Sequence, residues 1–140
     1  MNILPALAIT SDALNAEKVR LEVISQNIAN AQTTRGPDGN PYQRRVVAFE
    51  AQLQRASGTD GSSLAAGPRL AGITADTTAG PSIYNPSHPH ADAQGMVRMP
   101  NVNLSREMVD LISASRSYEA NLSVVRTARQ MAQRALQMGR

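Results

Sequence analysis

Apolar residues recur at alternating intervals of four and three along the C-terminal part of the chain, and this spacing constrains the fold most. The pattern, sustained from Asn103 to Met138, is typical of a long helix that packs against other helices along one seam. Such a helix is about 54 Å long, whereas a compact globule of 140 residues has a radius of gyration of roughly 14 Å. The helix therefore needs cover from an N-terminal partner helix or from other subunits. Its apolar positions are Leu104, Met108, Leu111, Tyr118, Leu122, Val125, Ala132 and Leu136.

Two polar residues, Ser115 and Arg129, interrupt this stripe. Because a polar residue at a core heptad position can fix helix register, we expect both to face neighbouring subunits. Arg129 would then pair with a carboxylate, and the candidates are Glu17, Glu107, Asp110 and Glu119. A second apolar stripe beside the first consists of Val124, Ala128, Met131, Ala135 and Met138. A helix that is apolar on more than one side is usually buried within a larger body, which here would be an oligomer.

A heptad pattern also marks the N-terminal part of the chain, where Leu7, Leu14, Leu21 and Ile28 recur every seven residues. The predicted helix begins at Pro5, which suits a first helical turn, and ends near Ala31. A chain with partner-seeking helices at both ends is suited to assembly rather than to catalysis.

The segment between the helices reads as a small extended or β region. Turn-forming residues are dense from 35 to 41 and end the first helix. Strands are predicted at 42–50, 69–76 and 96–99, a loop at 56–68, and an irregular extended arm at 82–95. Asn103 or Ser105 is expected to cap the long helix, with Glu107 in its first turn. We therefore divide the chain into an N-terminal helical segment (1–35), an extended/β insertion (36–100) and a C-terminal helical segment (101–140) of a mainly α protein.

Composition argues against several function classes. The chain has no Cys, which excludes disulfides, thiolate metal ligands and cysteine nucleophiles. Its net charge of +3 comes from scattered Arg residues with few aromatic neighbours, a pattern that argues against nucleic-acid binding. No segment approaches the length of about 20 apolar residues that a membrane span needs. No cleaved secretory signal is expected either, since Pro5 interrupts the first apolar run and no basic residue precedes it.

A metal site is suggested only by His88, His90 and Asp92, which carry three ligand types. Metal sites need rigid support around their ligands, and these residues lie in a Pro-rich arm, so we interpret the segment as an arm packed on a neighbour. No catalytic triad, phosphate-binding loop or pair of carboxylates in a plausible pocket is found. We expect neither an enzyme nor a cofactor.

Several motifs resemble those of one bacterial family. Asn27, Ile28, Ala29 and Asn30 near the end of the first helix resemble the Asn-Ile-Ala-Asn motif of flagellar rod and hook axial proteins. The next block resembles the proximal rod members more specifically, through Gly36, Pro37, Asp38, Gly39, Pro41 and Tyr42. The blocks 84–92 and 100–121 agree with the same family, so the resemblance covers nearly the whole chain. The two Asn side chains are expected either to cap the helix end or to bond to other subunits.

The resemblance implies a structural subunit of the proximal rod of the flagellar basal body. It implies export by the flagellar type III secretion system and assembly into the drive shaft that crosses the periplasm. The terminal helices would pair as a coiled coil, and the partners would be copies of the chain, the rod proteins FlgB, FlgF and FlgG, the base protein FliE and the export apparatus. The alternative is a soluble helical adaptor or export chaperone. An adaptor needs only helices, so the extended middle of the chain favours the axial protein.

Overall fold

The computed structural model describes residues 3–55 and 64–138. In this part of the chain one helix precedes four strands, and a second helix follows them. The elements are α1 (Ile3–Ala29), β1 (Arg45–Arg55), β2 (Leu64–Ala75), β3 (Ser82–Tyr84), β4 (Met96–Arg98) and α2 (Leu104–Met138). The predicted mainly α fold, with long terminal helices and a small β region between them, is confirmed.

Helix α1 lies slightly earlier in the sequence than predicted, since it begins at Ile3 rather than Pro5 and ends at Ala29 rather than Ala31. Pro5 still falls in the first turn, where its missing N–H costs no helical hydrogen bond. At the other end the backbone tightens, because Ala31 N donates to Ile28 O at 3.2 Å. Such a bond between residues three apart ends the regular α-helix.

Helix α2 begins where the sequence predicted, and Asn103 provides its N-cap. The Oδ1 atom of Asn103 accepts a hydrogen bond from Arg106 N at 3.1 Å, and its carbonyl accepts one from Glu107 N at 3.0 Å. Ser105 lies inside the helix. Glu107 is in the first turn, as predicted.

We expect Asn103→Ala to lower the free energy of unfolding by about 1 kcal/mol, because the N–H of Arg106 loses its acceptor. Urea unfolding followed by circular dichroism measures this. Asn103→Ser is the matched control, since a serine hydroxyl also caps a helix and should preserve most of the stability. An equal loss in both variants would show that the cap is not the cause.

Strands β1 and β2 form a long antiparallel hairpin. Its register runs from Arg45 opposite Ala75 to Arg55 opposite Leu64, with an irregularity between Ala48 and Phe49. The predicted loop at 56–68 is therefore wrong for residues 64–68. Ala65, Ala66 and Gly67 are small, yet they pair with β1, because backbone pairing needs no bulky residue. The remainder, 56–63, lies outside the described residues.

The predicted irregular arm at 82–95 is wrong at its start. Ser82–Tyr84 forms β3 and pairs antiparallel with β4, so that Tyr84 is opposite Met96. Asn85 N donates to Gly95 O at 2.8 Å and closes the turn that follows. Gly95 has φ of 76° and Gly80 leaves no room for a Cβ atom beside the carbonyl of Met99, so both positions favour glycine.

Among the described residues the core is small: most of it lies where α1 meets α2 and the β1–β2 hairpin, and Val97 is buried in β4. Helix α1 packs against α2 and also against both strands of the hairpin. The buried apolar side chains are Ala16, Val23, Ile24, Val97 and Ala114. Because the described core has few large residues, the buried polar groups beside it largely determine how the helices and strands are positioned relative to one another.

Candidate subunit-assembly site

A buried polar cluster, here called the helix–hairpin junction, joins the end of α1 to the base of the hairpin and the start of α2. It consists of Asn27, Tyr42, Arg44, the backbone of Arg45, and Glu107. Asn27 and Glu107 are the most enclosed polar side chains described, with exposed fractions of 1% and 0%. Buried polar groups are costly unless they are hydrogen-bonded, so the partners of these two residues decide whether the junction stabilises the fold.

Asn27 uses its full hydrogen-bonding capacity at the junction. Its Oδ1 atom accepts from Tyr42 OH and from Arg45 N, both at 2.9 Å. Its Nδ2 group donates to Arg45 O at 2.9 Å and to Glu107 Oε2 at 3.0 Å. An amide has two donor hydrogens and two acceptor lone pairs. Asn27 therefore binds both peptide groups of Arg45 and ties α1 to β1 and α2 at once.

Glu107 is held by a charged partner as well. Arg44 Nε donates to Glu107 Oε1 at 2.6 Å, and Arg44 Nη2 lies 3.7 Å from Asp110 Oδ2. A buried carboxylate needs such a partner and further hydrogen bonds to offset its desolvation. Here the guanidinium and the Asn27 amide supply one bond to each oxygen, so the start of α2 is anchored to the base of the hairpin.

A second amide, that of Asn101, extends the hairpin at its base. Asn101 Oδ1 accepts from Arg44 N at 2.7 Å, and Asn101 Nδ2 donates to Asp76 O at 2.9 Å. The loop before α2 is thereby fixed to both strands. Hydrogen bonds from the Thr78 side chain and backbone lower the pKa of the Asp76 carboxyl.

Tyr42 is the junction residue whose ionisation is perturbed. Burial raises the pKa of its phenol above the ordinary value of 10.0, and the negative charge of Glu107 adds to this, while Arg45 opposes it. The folded state therefore favours the neutral phenol, which donates to Asn27. This contribution to stability is complete below the unfolded pKa and is lost as pH rises through the folded pKa.

We expect the free energy of unfolding to fall more steeply above about pH 10 in the unmodified chain than in Tyr42→Phe. The phenylalanine variant has no phenol to ionise at the junction, and it loses about 1 kcal/mol at neutral pH for the missing hydrogen bond. Denaturant unfolding at a series of pH values measures both effects. Tyr84→Phe is the control, because the Tyr84 side chain is exposed; identical pH curves for all three proteins would refute the assignment.

Helix α2 exposes a series of large apolar side chains to solvent. Those of its first half include Val109 and Ile112, which are 66% and 54% exposed. Those of its second half are Val124, Met131, Leu136 and Met138. At 3.6 residues per turn, Val109, Ile112, Val124, Met131 and Met138 lie on one side of α2, and we call these five residues the α2 apolar face. Leu136 lies on the opposite side of the helix. A run of exposed apolar side chains of this length is typical of a surface that binds another protein.

Comparison with known proteins agrees with this architecture. A family model described as Flagella basal body rod protein matches residues 7–37, and one described as Flagellar basal body rod FlgEFG protein C-terminal matches residues 93–138. The flagellar basal-body rod protein FlgC of Yersinia enterocolitica is 40% identical over 99% of both chains. Those of Borreliella burgdorferi and Bacillus subtilis are 37% and 35% identical, over 97% and 100% of both chains.

The chain belongs to the FlgC family of flagellar basal-body rod proteins. The resemblance found in the sequence is thus confirmed, and the chain is a structural protein of the basal-body rod. The FlgC relatives align from end to end, so the match includes the hairpin as well as the two helices.

The structure gives Asn27 and Asn30, near the end of α1, different hydrogen-bonding roles, and only Asn30 acts at the helix end as expected. Asn27 is not a helix cap, and its side chain has no capacity left for another subunit, because all four hydrogen bonds are made within the chain. Asn30 does act at the helix end, since its Nδ2 donates to Gln26 O at 2.9 Å and its Oδ1 accepts from Thr33 Oγ1 at 3.1 Å. Ile28 is half-buried and Ala29 exposed.

The turn residues of the FlgC-like block surround one tight loop. Gly36 N donates to Asn40 O at 2.7 Å, and Gly39 N donates to Gly36 O at 3.0 Å. Gly39 has φ of 77°, which explains the glycine there. Pro37 and Asp38 are exposed, and Pro41 is half-buried beside Tyr42.

The heptad residues fall into two groups in the structure. The half-buried ones are Leu14, Leu21, Leu111, Tyr118, Leu122, Val125 and Ala132. Leu104, Met108 and Leu136 are exposed, at 42%, 49% and 75%. The side chain of Leu7 lies outside the described part of the structure. Their role in helix packing between subunits stays a prediction, as does the coiled-coil pairing.

Arg44 is the functional residue that the sequence did not indicate. We expected Glu107 and Asp110 as candidate partners of Arg129, yet both pair with Arg44, and Arg129 is exposed. Of the other candidates, Glu17 lies 3.9 Å from Arg20. Ser115 is half-buried. Arg44 stands between Gln43 and Arg45 in a polar stretch, and no periodicity distinguishes it.

Two further observations concern alternatives considered for the sequence. Among residues 3–55 and 64–138, no group of three or more His, Cys, Asp or Glu side chains is placed to hold a metal ion. His88 and His90 instead contact each other edge to face, with ring centroids 5.3 Å apart. Neither described helix is long and apolar enough to cross a membrane.

Proposed function

We propose that this chain is a subunit of the proximal rod, that the flagellar type III secretion system exports it, and that it assembles into the drive shaft that crosses the periplasm. The observation that carries the proposal is the α2 apolar face. An isolated monomer gains nothing from exposing five large apolar side chains along one side of a helix, whereas a subunit can bury them against its neighbours.

The neighbours that we propose are further copies of the chain, the rod proteins FlgB, FlgF and FlgG, and the base protein FliE. In this arrangement α1 and α2 pair as a coiled coil and lie toward the axis, and the hairpin lies outward. The helix–hairpin junction supports this role, because a shaft that transmits torque needs a rigid connection between its inner helices and its outer parts.

The role that we propose is not enzymatic. Asn27 and Glu107, the buried polar side chains of the described residues, line a cleft of about 300 Å³, but they are 1% and 0% exposed and bind each other and neighbouring groups. Catalytic groups must reach a substrate, and this pair is enclosed by its own partners.

The test is mass spectrometry of flagellar basal bodies purified from the source bacterium after loosely bound proteins are removed. We expect the chain to be present, without cleavage beyond its initiator Met, in amounts comparable with those of the other rod proteins. Its absence from basal bodies, with recovery in the cytoplasmic fraction, would favour an adaptor or export chaperone and overturn the proposal.

A further inference from the structure

A cleft separates the turn after α1 from the segment that leads into β4. One wall is formed by residues 34–41 and the other by residues 89–98, and the volume between them is about 360 Å³. Thr34 Oγ1 lies 2.8 Å from His90 Nδ1, so a hydrogen bond joins the two walls directly. We call this feature the turn cleft. It lies outside the α2 apolar face.

Both walls of the turn cleft are held in place by their own hydrogen bonds. On one side Gly36 N donates to Asn40 O at 2.7 Å. On the other, Asp92 N donates to Met96 O, and Met96 N donates to Asp92 Oδ1, both at 2.9 Å. A cleft whose walls are fixed in this way loses little conformational entropy when a partner binds.

Two arginines, Arg35 and Arg98, line the turn cleft from opposite walls. Both are exposed, and neither forms an ion pair with any residue of 3–55 or 64–138. A guanidinium presents a planar fork of donors that matches a carboxylate. By contrast, Arg44 at the junction already pairs with the carboxylates of Glu107 and Asp110.

The remaining lining distinguishes between kinds of anion. Pro41, Pro89, Ala91 and Met96 provide apolar surface between the two arginines, which suits aliphatic side chains beside a carboxylate. Asp92 also lines the cleft, and its negative charge disfavours a compact dianion such as phosphate. A peptide whose carboxylates are separated by apolar side chains meets both conditions, because each arginine can bind one singly charged carboxylate.

We propose that the turn cleft binds an acidic, partly apolar segment of a neighbouring protein subunit, with Arg35 and Arg98 holding its carboxylates. The proposal names a contact within the assembly proposed above and rests on it for the identity of the partner. Because its first test uses the purified chain alone, a failure there leaves the rod assignment unaffected.

The probe is the blocked tetrapeptide Glu-Leu-Glu-Leu, titrated into the purified full chain and followed by NMR of backbone amides. We expect Kd of about 1 mM, with shifts confined to residues 34–41 and 89–98. Arg35→Glu/Arg98→Glu should weaken binding about tenfold or more, since it replaces two attractions by two repulsions. Arg35→Lys/Arg98→Lys keeps the charge and should weaken it only a few-fold.

Two matched ligands make the result decisive. The neutral peptide Gln-Leu-Gln-Leu should bind at least several-fold more weakly, because it lacks the carboxylates. Equal binding of both peptides, stronger shifts of the same residues by inorganic phosphate, or no shift with the acidic peptide would each overturn the proposal. Because the substituted arginines are exposed, both double variants should keep the far-UV circular dichroism spectrum of the unmodified chain. If a double variant lost both that spectrum and peptide binding, the comparison of the acidic and the neutral peptide on the unmodified chain would decide whether the proposal holds.

Discussion

Asn27→Leu should lower the free energy of unfolding by about 3 to 5 kcal/mol and the melting temperature by about 10 °C or more. Leucine has the same number and branching of side-chain heavy atoms as asparagine, so most of the change comes from the lost hydrogen bonds. The cost arises because Tyr42 OH, both peptide groups of Arg45 and Glu107 Oε2 all lose a partner in a buried place. Urea unfolding of the purified chain, followed by circular dichroism, measures the loss.

The matched control is Asn30→Leu, three residues later in the same motif. Asn30 donates its side-chain amide to Gln26 O, which already accepts the Asn30 backbone N–H at 3.0 Å. Losing that second bond should cost about 1 kcal/mol. If the two substitutions lower the free energy of unfolding equally, the hydrogen bonds of the junction do not contribute the stability that we infer from their geometry.

The difference between these two asparagines marks the limit of what the sequence predicted. Both stand in one short motif near a helix end, and the spacing between them says nothing about which is buried. What separates them is that Glu107, which follows Asn27 by 80 residues, closes over it. A contact of that sequence separation depends on how the chain folds back, and no local pattern encodes it.

The elements themselves were predictable for a physical reason. A heptad stripe and a Pro in the first turn specify a helix locally, so the existence and approximate bounds of α1 and α2 followed from the sequence. Strand β2 began earlier than predicted because Ala65, Ala66, Gly67 and Pro68 have low strand preference, and the strand conformation there comes from pairing with β1. The family was predicted from the resemblance, whereas the helix–hairpin junction was found only in the structure.

Met131→Asp should leave the isolated chain nearly as stable as before and yet prevent its incorporation into the rod. Met131 is 57% exposed on the second half of α2, so an aspartate there stays hydrated in the monomer, and the free energy of unfolding should change by about 0.5 kcal/mol or less. In an assembly that buries the α2 apolar face, the same carboxylate would be desolvated without a partner, at a cost of several kcal/mol. Since about 1.4 kcal/mol is a factor of ten, incorporation should fall by at least about tenfold.

The measurement is the amount of the variant in purified basal bodies, together with swimming in soft agar when it is the only copy in the cell. Gln133→Asp is the control, because it places the same charge on the same helix at an exposed position that is already polar. It should incorporate and support swimming. Leu122→Asp should instead destabilise the isolated chain, since Leu122 is half-buried. Full incorporation of Met131→Asp would mean that the α2 apolar face stays exposed in the rod, and the observation that carries the proposed assembly would then point to a different partner.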